Sequence, residues 1–395
     1  MNYKIWFWYV VCLMFSAMAI SRPLKILFVV GHFPEPSQTF IVTQMIGLID
    51  RGHDVSIFSL YKDSFRHMLP DVEKYKLLDR VIYGTLPKNM PDCDIVFCQF
   101  GYHGRKIFQM PEIKQWLKNK KVVTCLRGTD ITVRILNNIK GYTQLFRKGD
   151  LFLPVCDYFK KLLIKSGCPS NKIVVHHSAI NTERFSFKER SLPAKNETLN
   201  LISVCRLVEK KGLIYAIKAV ARIARRYPNI QYNIVGDGPE RSSLEKLIKS
   251  LGMSNKIILH GWKGQQDVIA MLDQSHIFML PSVTAADGNE EGIPNALKEA
   301  MAMGLPVIGT WHSGTPELIE DGVSGFLVPQ KDFMALHNKI LYIIRNPQIL
   351  KSVGLAARQC VEEKFEVKQL IKDLEGLFYR LINRSADCDE SALSV

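Results

Sequence analysis

Residues 199–226 read LNLISVCRLVEKKGLIYAIKAVARIARR, and this stretch decides the fold. Leu199–Val204 is a short apolar run of the kind that makes a buried strand. The charged turn Arg206-Leu207-Val208-Glu209-Lys210-Lys211-Gly212 follows it. From Leu213 to Arg226 apolar residues then recur at helical spacing. Strand, loop and helix in that order are the repeating unit of a parallel sheet covered on both faces.

The unit recurs in both directions. Toward the C-terminus, strands are expected at Gln231–Val235, Lys256–Leu259, His276–Leu280, Pro306–Ile308 and Phe326–Val328. Helices are expected at Glu240–Leu251, Gln265–Leu272, Pro294–Met303 and Asp332–Ile344. Toward the N-terminus, strands are expected at Leu24–Val30, Val55–Leu60, Asp94–Gln99, Val122–Leu126, Leu151–Val155 and Ile173–His177. A helix at Gln38–Arg51 has Ser37 available as its cap. The polar stretch Phe187–Thr198, with Pro193, reads as a linker between two α/β domains. The expected organisation is an apolar segment at 1–22, a first domain at 23–190, a second at 191–366, a helix at 367–383 and an acidic tail at 384–395.

With 395 residues, 47% of them hydrophobic, the chain is neither disordered nor a small disulfide scaffold. Its net charge of +14 is unevenly spread. Residues 22–100 hold nine basic and nine acidic side chains, 101–190 hold eighteen and six, and 191–395 hold twenty-four and twenty-three. The surplus therefore belongs to one stretch, which points to an anionic partner there. No nucleic-acid module is visible, so a membrane surface fits better than nucleic acid. Pro111–Lys120 and Asp157–Lys165 read as mixed basic and apolar helices suited to such a surface.

Nine scattered cysteines without a CxxC pair favour a reducing compartment and argue against a cysteine metal site. The apolar run Ile5–Ile20 fits a signal peptide, a membrane anchor or a misplaced start. Asp92-Cys93-Asp94 has the spelling of a metal-binding DxD but stands far from the other chemical motifs. No metal site is expected.

Those motifs sit after successive strands of the second half, where an open α/β sheet binds ligands. Arg206 and Lys211 place two cations on one loop, suited to a pyrophosphate. Gly236-Asp237-Gly238-Pro239 is a glycine turn. In Glu290-Glu291-Gly292-Ile293-Pro294, the proline fits the first position of a helix, whose free N–H groups favour phosphate oxygens. Gly292 admits a ligand close to the backbone. Glu299, further along that helix, suits a pair of ribose hydroxyls.

Together, Arg206-x4-Lys211-Gly212, Gly236-Asp237-Gly238-Pro239 and Glu291-Gly292-Ile293-Pro294-x4-Glu299 resemble the signature of retaining glycosyltransferases of family 4. Glu291 and Glu299 match that family's E-x7-E motif. The wording of Phe33-Pro34-x2-Ser37-Gln38-Thr39-Phe40, Leu145–Asp150 and His312–Leu318 is similar to exopolysaccharide enzymes of the colanic-acid type. The resemblance implies a GT-B fold, two Rossmann-like domains facing across a cleft with a C-terminal helix returning to the first. It implies catalytic roles for Arg206 and Lys211 on the donor diphosphate and for Glu291 on the donor sugar. It implies substrate contacts for Glu299, Gly292, Ile293, Gly236 and Gly238, and for Arg127 and Asp130 in the first half. The donor would be a nucleotide-diphosphate sugar, of the UDP type, and the acceptor a saccharide, lipid-linked. No cofactor is implied. The setting would be the cytoplasmic face of the plasma membrane, because nucleotide sugars are cytosolic. Leu126-Arg127-Gly128-Thr129-Asp130 departs from the family's His-Gly-x-Asp, since Arg127 replaces histidine and cannot act as a base. A nucleotide-sugar epimerase or hydrolase, or a catalytically impaired sugar-nucleotide-binding protein, are the alternatives.

Overall fold

Two six-stranded parallel sheets organise the computed structural model, which describes residues 22–35, 37–62, 68–84 and 90–390, the side chains of 384–390 excepted. The first contains β1 (Lys25–His32), β2 (Asp54–Tyr61), β3 (Val81–Tyr83), β4 (Ile95–Cys98), β5 (Lys121–Leu126) and β6 (Leu151–Pro154), in the order β3-β2-β1-β4-β5-β6. The second contains β7 (Leu199–Val204), β8 (Ile230–Val235), β9 (Ile257–Gly261), β10 (Ile277–Met279), β11 (Val307–Thr310) and β12 (Phe326–Val328), in the order β12-β11-β10-β7-β8-β9. Read from β9, the second order repeats the first, and both are the doubly wound order of a dinucleotide-binding fold. This is the GT-B architecture.

Parallel strands need covered crossovers, and the sequence supplies them. In Leu213–Ile223 the buried residues Leu213, Ala216, Ile217 and Val220 form one stripe. They join Leu201, Tyr232 and Ile234 of the sheet in one core. Each large aliphatic side chain so buried stabilises by about 1.5–3 kcal/mol.

Packing divides the chain into two compact units. One takes in residues through Thr124, Lys148–Phe152 and those from Ile371 onward; the other is Cys125–Arg147 with Leu153–Leu370. The strands β5 and β6 cross that division, whereas the sheets change between Pro154 and Leu199. The C-terminal helix packs with the first unit. Its Ile371, Leu374 and Phe378 are buried, Phe378 meets Phe97 edge-on at 5.4 Å, and Glu375 binds Arg51 and, at 2.9 Å, His53.

Several expectations need correction. The final helix spans Val367–Glu390, so it continues past Asn383 into the stretch expected as a tail. Ile173–His177 forms no strand; beyond β6 it runs as a separate segment, with the His176 N–H bonded to the Pro154 carbonyl at 3.0 Å and its ring to that of Leu370 at 2.9 Å. Pro111–Lys120 is two 3-10 turns rather than a helix, with Ile113 and Leu117 buried as the chain descends to β5. Ser37 does not cap the Thr39–Asp50 helix, because its hydroxyl donates to Glu35 at 2.6 Å. The strand β3 and the helix Leu350–Phe365 were not expected. The first has three residues, none fully covered. The second hides its stripe of Leu350, Val353, Ala357, Val361 and Phe365 behind small residues. The segment at 1–21 and residues 391–395 lie outside the described residues.

Candidate active site

In the second sheet β7 neighbours both β8 and β10, and the strand order reverses between β7 and β10. Ligands of such sheets bind at the carboxyl ends of the strands on either side of that point. The loop leaving β7 and the loop leaving β10 meet there. The Val283 N–H donates to the Lys210 carbonyl at 2.8 Å, and the Ala286 N–H donates to Glu209 at 3.1 Å.

Charge gathers where the loops meet. Lys211 Nζ lies 2.5 Å from Glu291 Oε2, and Lys210 Nζ lies 3.9 Å from the same oxygen. All three side chains are largely covered. Burial pushes the Glu291 carboxyl up, but Lys211 and then Lys210 outweigh it and hold the group at about 2. Glu291 is therefore a carboxylate at any physiological pH, able to accept from hydroxyls and unsuited to donate a proton. Burial lowers Lys210, against the pull of Glu291. The Glu291 N–H donates to His312 Nε2 at 3.1 Å. An imidazole nitrogen that accepts belongs to a neutral ring, and burial, the largest influence on His312, favours that form. Arg206, on the same loop as the lysines, is exposed and makes no ion pair among the described residues.

The helix Asn295–Ala302 begins just beyond Glu291. Pro294 stands at its cap rather than at its first turn, and no side chain caps it, so its first amides are open to a ligand. Glu299 is half-buried in this helix, and burial pushes its carboxyl up to about 7 against the pull of Lys298. Lys298 is fully buried. Its ammonium donates to the Ser178 carbonyl and lies 5.0 Å over the Phe365 ring, and burial lowers it to about 7. Sequence reasoning gave Lys298 and Lys210 no role. A lysine on a charged loop or helix reads as solvated, and only the packed surroundings reveal otherwise.

The loop after β5 belongs to the same compact unit. The Asp130 carboxylate is fully buried and accepts from the N–H groups of Arg127, at 3.1 Å, and Gly128, at 2.8 Å. Asp130 thus fixes the backbone of the loop. Arg127 Nη1 donates to the Ser178 hydroxyl at 2.6 Å, so Ser178 accepts from Arg127 and from Lys298. Thr129 and Lys210 both donate to Asn289 Oδ1, at 2.9 and 3.3 Å, and the Glu290 N–H donates to Thr132 at 3.2 Å. These bonds join the loop to the Lys211–Glu291 cluster.

The glycines act through space rather than through charge. A Cβ on Gly236, whose φ is +129°, would lie 1.9 Å from the Cys205 carbonyl oxygen, and one on Gly238 would lie 2.5 Å from that of Leu207. The turn therefore lets the loop holding Arg206 pack against it. A Cβ on Gly292 would meet Val155 at 2.8 Å. Ile293, next to it, is buried and packs beside Gly314.

The family model described as "Glycosyl transferases group 1" matches residues 185–360. The amylovoran biosynthesis glycosyltransferase AmsK of Erwinia amylovora is 34% identical over 410 residues, covering 91% of this chain and all of that protein. WcaL of Salmonella typhimurium, named as a colanic acid biosynthesis glycosyltransferase, is 34% identical over 406 residues, covering 90% of this chain and 99% of that one. The chain belongs to the group 1 glycosyltransferases. The fold of this glycosyltransferase is shared with Anabaena Alr3699/HepE, solved in complex with UDP, at a TM-score of 0.74 and 18% identity over 90% of this chain and 99% of that one. The matched segment contains Arg206, Lys211, Glu291 and Glu299, and Arg127 and Asp130 come from outside it. Among the described residues of the glycosyltransferase, no three His, Cys, Asp or Glu side chains gather as a metal site would, and no helix is long and apolar enough to cross a membrane. Asp92 is instead bonded to Lys25 and Lys120, and Asp94 to Arg22.

Proposed function

We propose that the chain is a retaining, metal-independent hexosyltransferase of family 4, moving a hexose from a UDP-sugar to a lipid-linked saccharide in exopolysaccharide biosynthesis at the cytoplasmic face of the plasma membrane. The observation that carries this reading is the Lys211–Glu291–Lys210 cluster at the strand-order reversal, beside an uncapped helix start. Cations and open amides suit a diphosphate, and a fixed carboxylate next to them suits the hydroxyls of the sugar it carries. The names of AmsK and WcaL support the polysaccharide setting, and the UDP bound by HepE supports the donor class.

Lys211 and Arg206 hold the diphosphate and stabilise the charge that grows on it as the glycosidic bond breaks. Glu291 orients the sugar and its anomeric carbon. Glu299 accepts from the ribose hydroxyls, while Gly292 and Ile293 present backbone to the phosphates. The leaving phosphate accepts the proton of the acceptor hydroxyl, so attack from the same face retains configuration without a protein base. Arg127 in place of histidine is compatible with that chemistry, because no base is required there.

Transfer from UDP-hexoses to a saccharide acceptor, followed by NMR of the product's anomeric proton, tests the reading. Retained configuration is expected. Glu291→Gln and Lys211→Ala are each expected to lower kcat by at least about tenfold, or 1.4 kcal/mol of barrier. Near-normal rates would contradict the assignment, and recovery of only free sugar or an epimer would favour hydrolysis or epimerisation.

A further inference from the structure

The second sheet carries a polar face that the donor chemistry does not use. Leu199, Leu201, Ile230, Tyr232 and Ile234 turn toward the core shared with the Leu213–Ile223 helix. The residues that alternate with them are Asn200, Ile202 and Val204 along β7 and Gln231, Asn233 and Val235 along β8, so the face is polar where the strands begin and apolar further on. Register pairs Asn200 with Gln231, so these amides stand on one side of the sheet. A doubly wound parallel sheet ordinarily buries both faces against apolar side chains. Here Ile202 and Val235 of the opposite face are buried, whereas its Asn200, Gln231 and Asn233 border a cavity of about 460 Å³. That volume lies within the roughly 300–1,000 Å³ of small-molecule sites.

The lining specifies a chemistry. His260 bonds Asn233 Oδ1 through Nε2 at 2.8 Å. An amide oxygen only accepts, so Nε2 carries the proton and Nδ1 is left as an acceptor. The Gln231 amide makes no hydrogen bond to the described residues and lines the same space. From the far wall, the helix Gln265–Asp273 contributes Asp267 and Met271, which share one helix face. Lys263 completes the charged groups. Its positive charge is balanced by Asp267, and burial keeps the His260 ring on the neutral side of its usual range. A site with no net charge does not select phosphate. Ala270 and Met271 give the lining apolar surface beside its amides, a mixture suited to a ligand that has both C–H and hydroxyl faces. Hydroxyl groups, which donate and accept together, match amides and imidazole that also do both.

We propose that this cavity is an accessory binding site for a neutral saccharide, sharing no residue with the Lys211–Glu291 cluster. The site rests on strands β7, β8 and β9, whose rigidity fixes the hydrogen-bonding groups before a ligand arrives.

Saturation-transfer NMR of the full chain with methyl α-glucoside and methyl β-galactoside, recorded first alone and then with excess UDP or inorganic phosphate, tests the proposal. Signal from at least one glycoside is expected, unchanged by UDP and by inorganic phosphate. Gln231→Leu and Asn233→Leu are each expected to weaken binding at least about tenfold. Thermal unfolding of both variants shows whether they are folded, and Gln231→Leu is expected to keep or raise the midpoint. Glu291→Gln, which tests the donor site, is expected to leave the glycoside signal intact. Absence of signal from both glycosides, displacement by UDP or phosphate, or full binding by a folded Gln231→Leu would overturn the proposal.

Discussion

Lys298 shows how far a single residue's state depends on its surroundings. Its ammonium is fully enclosed against one carbonyl and one aromatic face, within reach of the charges of Glu299 and Arg127. Burial places its folded-state value at about 7, below the ordinary lysine value of 10.5. Between those limits the unfolded chain binds a proton that the folded chain does not, so stability contributed here rises with pH from about 7 to about 10.5. Lys298→Met removes that increment. Calorimetric midpoints from pH 7 to 10 are expected to climb more steeply for the wild type than for the variant, and parallel curves would contradict the burial argument. The same residue marks the limit of sequence reading. The placement of Arg206, Lys211, Glu291 and Glu299 at strand ends and around a helix start was legible from their spacing. Lys298 sits between two of them and was not, since nothing in its neighbours' identities announces that the helix buries it. Asp130, read from the family motif, accepts from two backbone amides of its own loop, a structural part the motif alone does not reveal.

At the scale of elements, strands in long apolar runs were readable because burial on both faces leaves a continuous signal. Elements lacking that signal escaped: the three-residue β3 and the small-residue helix Leu350–Phe365. Helix ends also depend on distant partners. The helix Asp157–Lys165 has no capping side chain of its own. Its first amides, those of Asp157 and Tyr158, donate instead to the Glu317 carboxylate at 2.8 and 3.0 Å. Glu317 follows β11, some 160 residues away in sequence. A carboxylate at a helix N-terminus satisfies two orphan donors and meets the positive end of the dipole. Glu317→Ala is expected to destabilise the chain by about 1–2 kcal/mol, the usual worth of a cap. Urea unfolding measures it, and a midpoint equal to that of wild type would show that water replaces the carboxylate without loss.

Across the whole molecule, the net charge of +14 is a surplus of twelve within residues 101–190 and near balance elsewhere. Some of those cations are engaged: Lys120 with Asp92, Lys121 with Asp150, Arg127 with Ser178. Others stand on the Asp157–Lys165 helix, where Lys161 and Lys165 are exposed and Lys160 is half-buried. The sequence reads as a mixed basic and apolar helix suited to an anionic membrane surface. Its apolar residues Phe159 and Leu163 are completely buried in the protein. What remains outside is charge, with Ile164 as the one exposed aliphatic side chain of this helix. In the proposed membrane setting this segment acts by electrostatic attraction and not by insertion. Each lysine near an anionic surface contributes about 1 kcal/mol, screened within roughly 10 Å at 0.1 M salt. Sedimentation of the full chain with phosphatidylglycerol-containing vesicles separates this contribution from any made by the apolar residues before Arg22. Changing Lys160, Lys161 and Lys165 together to Gln is expected to remove the salt-sensitive part of binding and to leave the salt-insensitive part unchanged. A variant that keeps the wild-type salt dependence would exclude this helix as the contact.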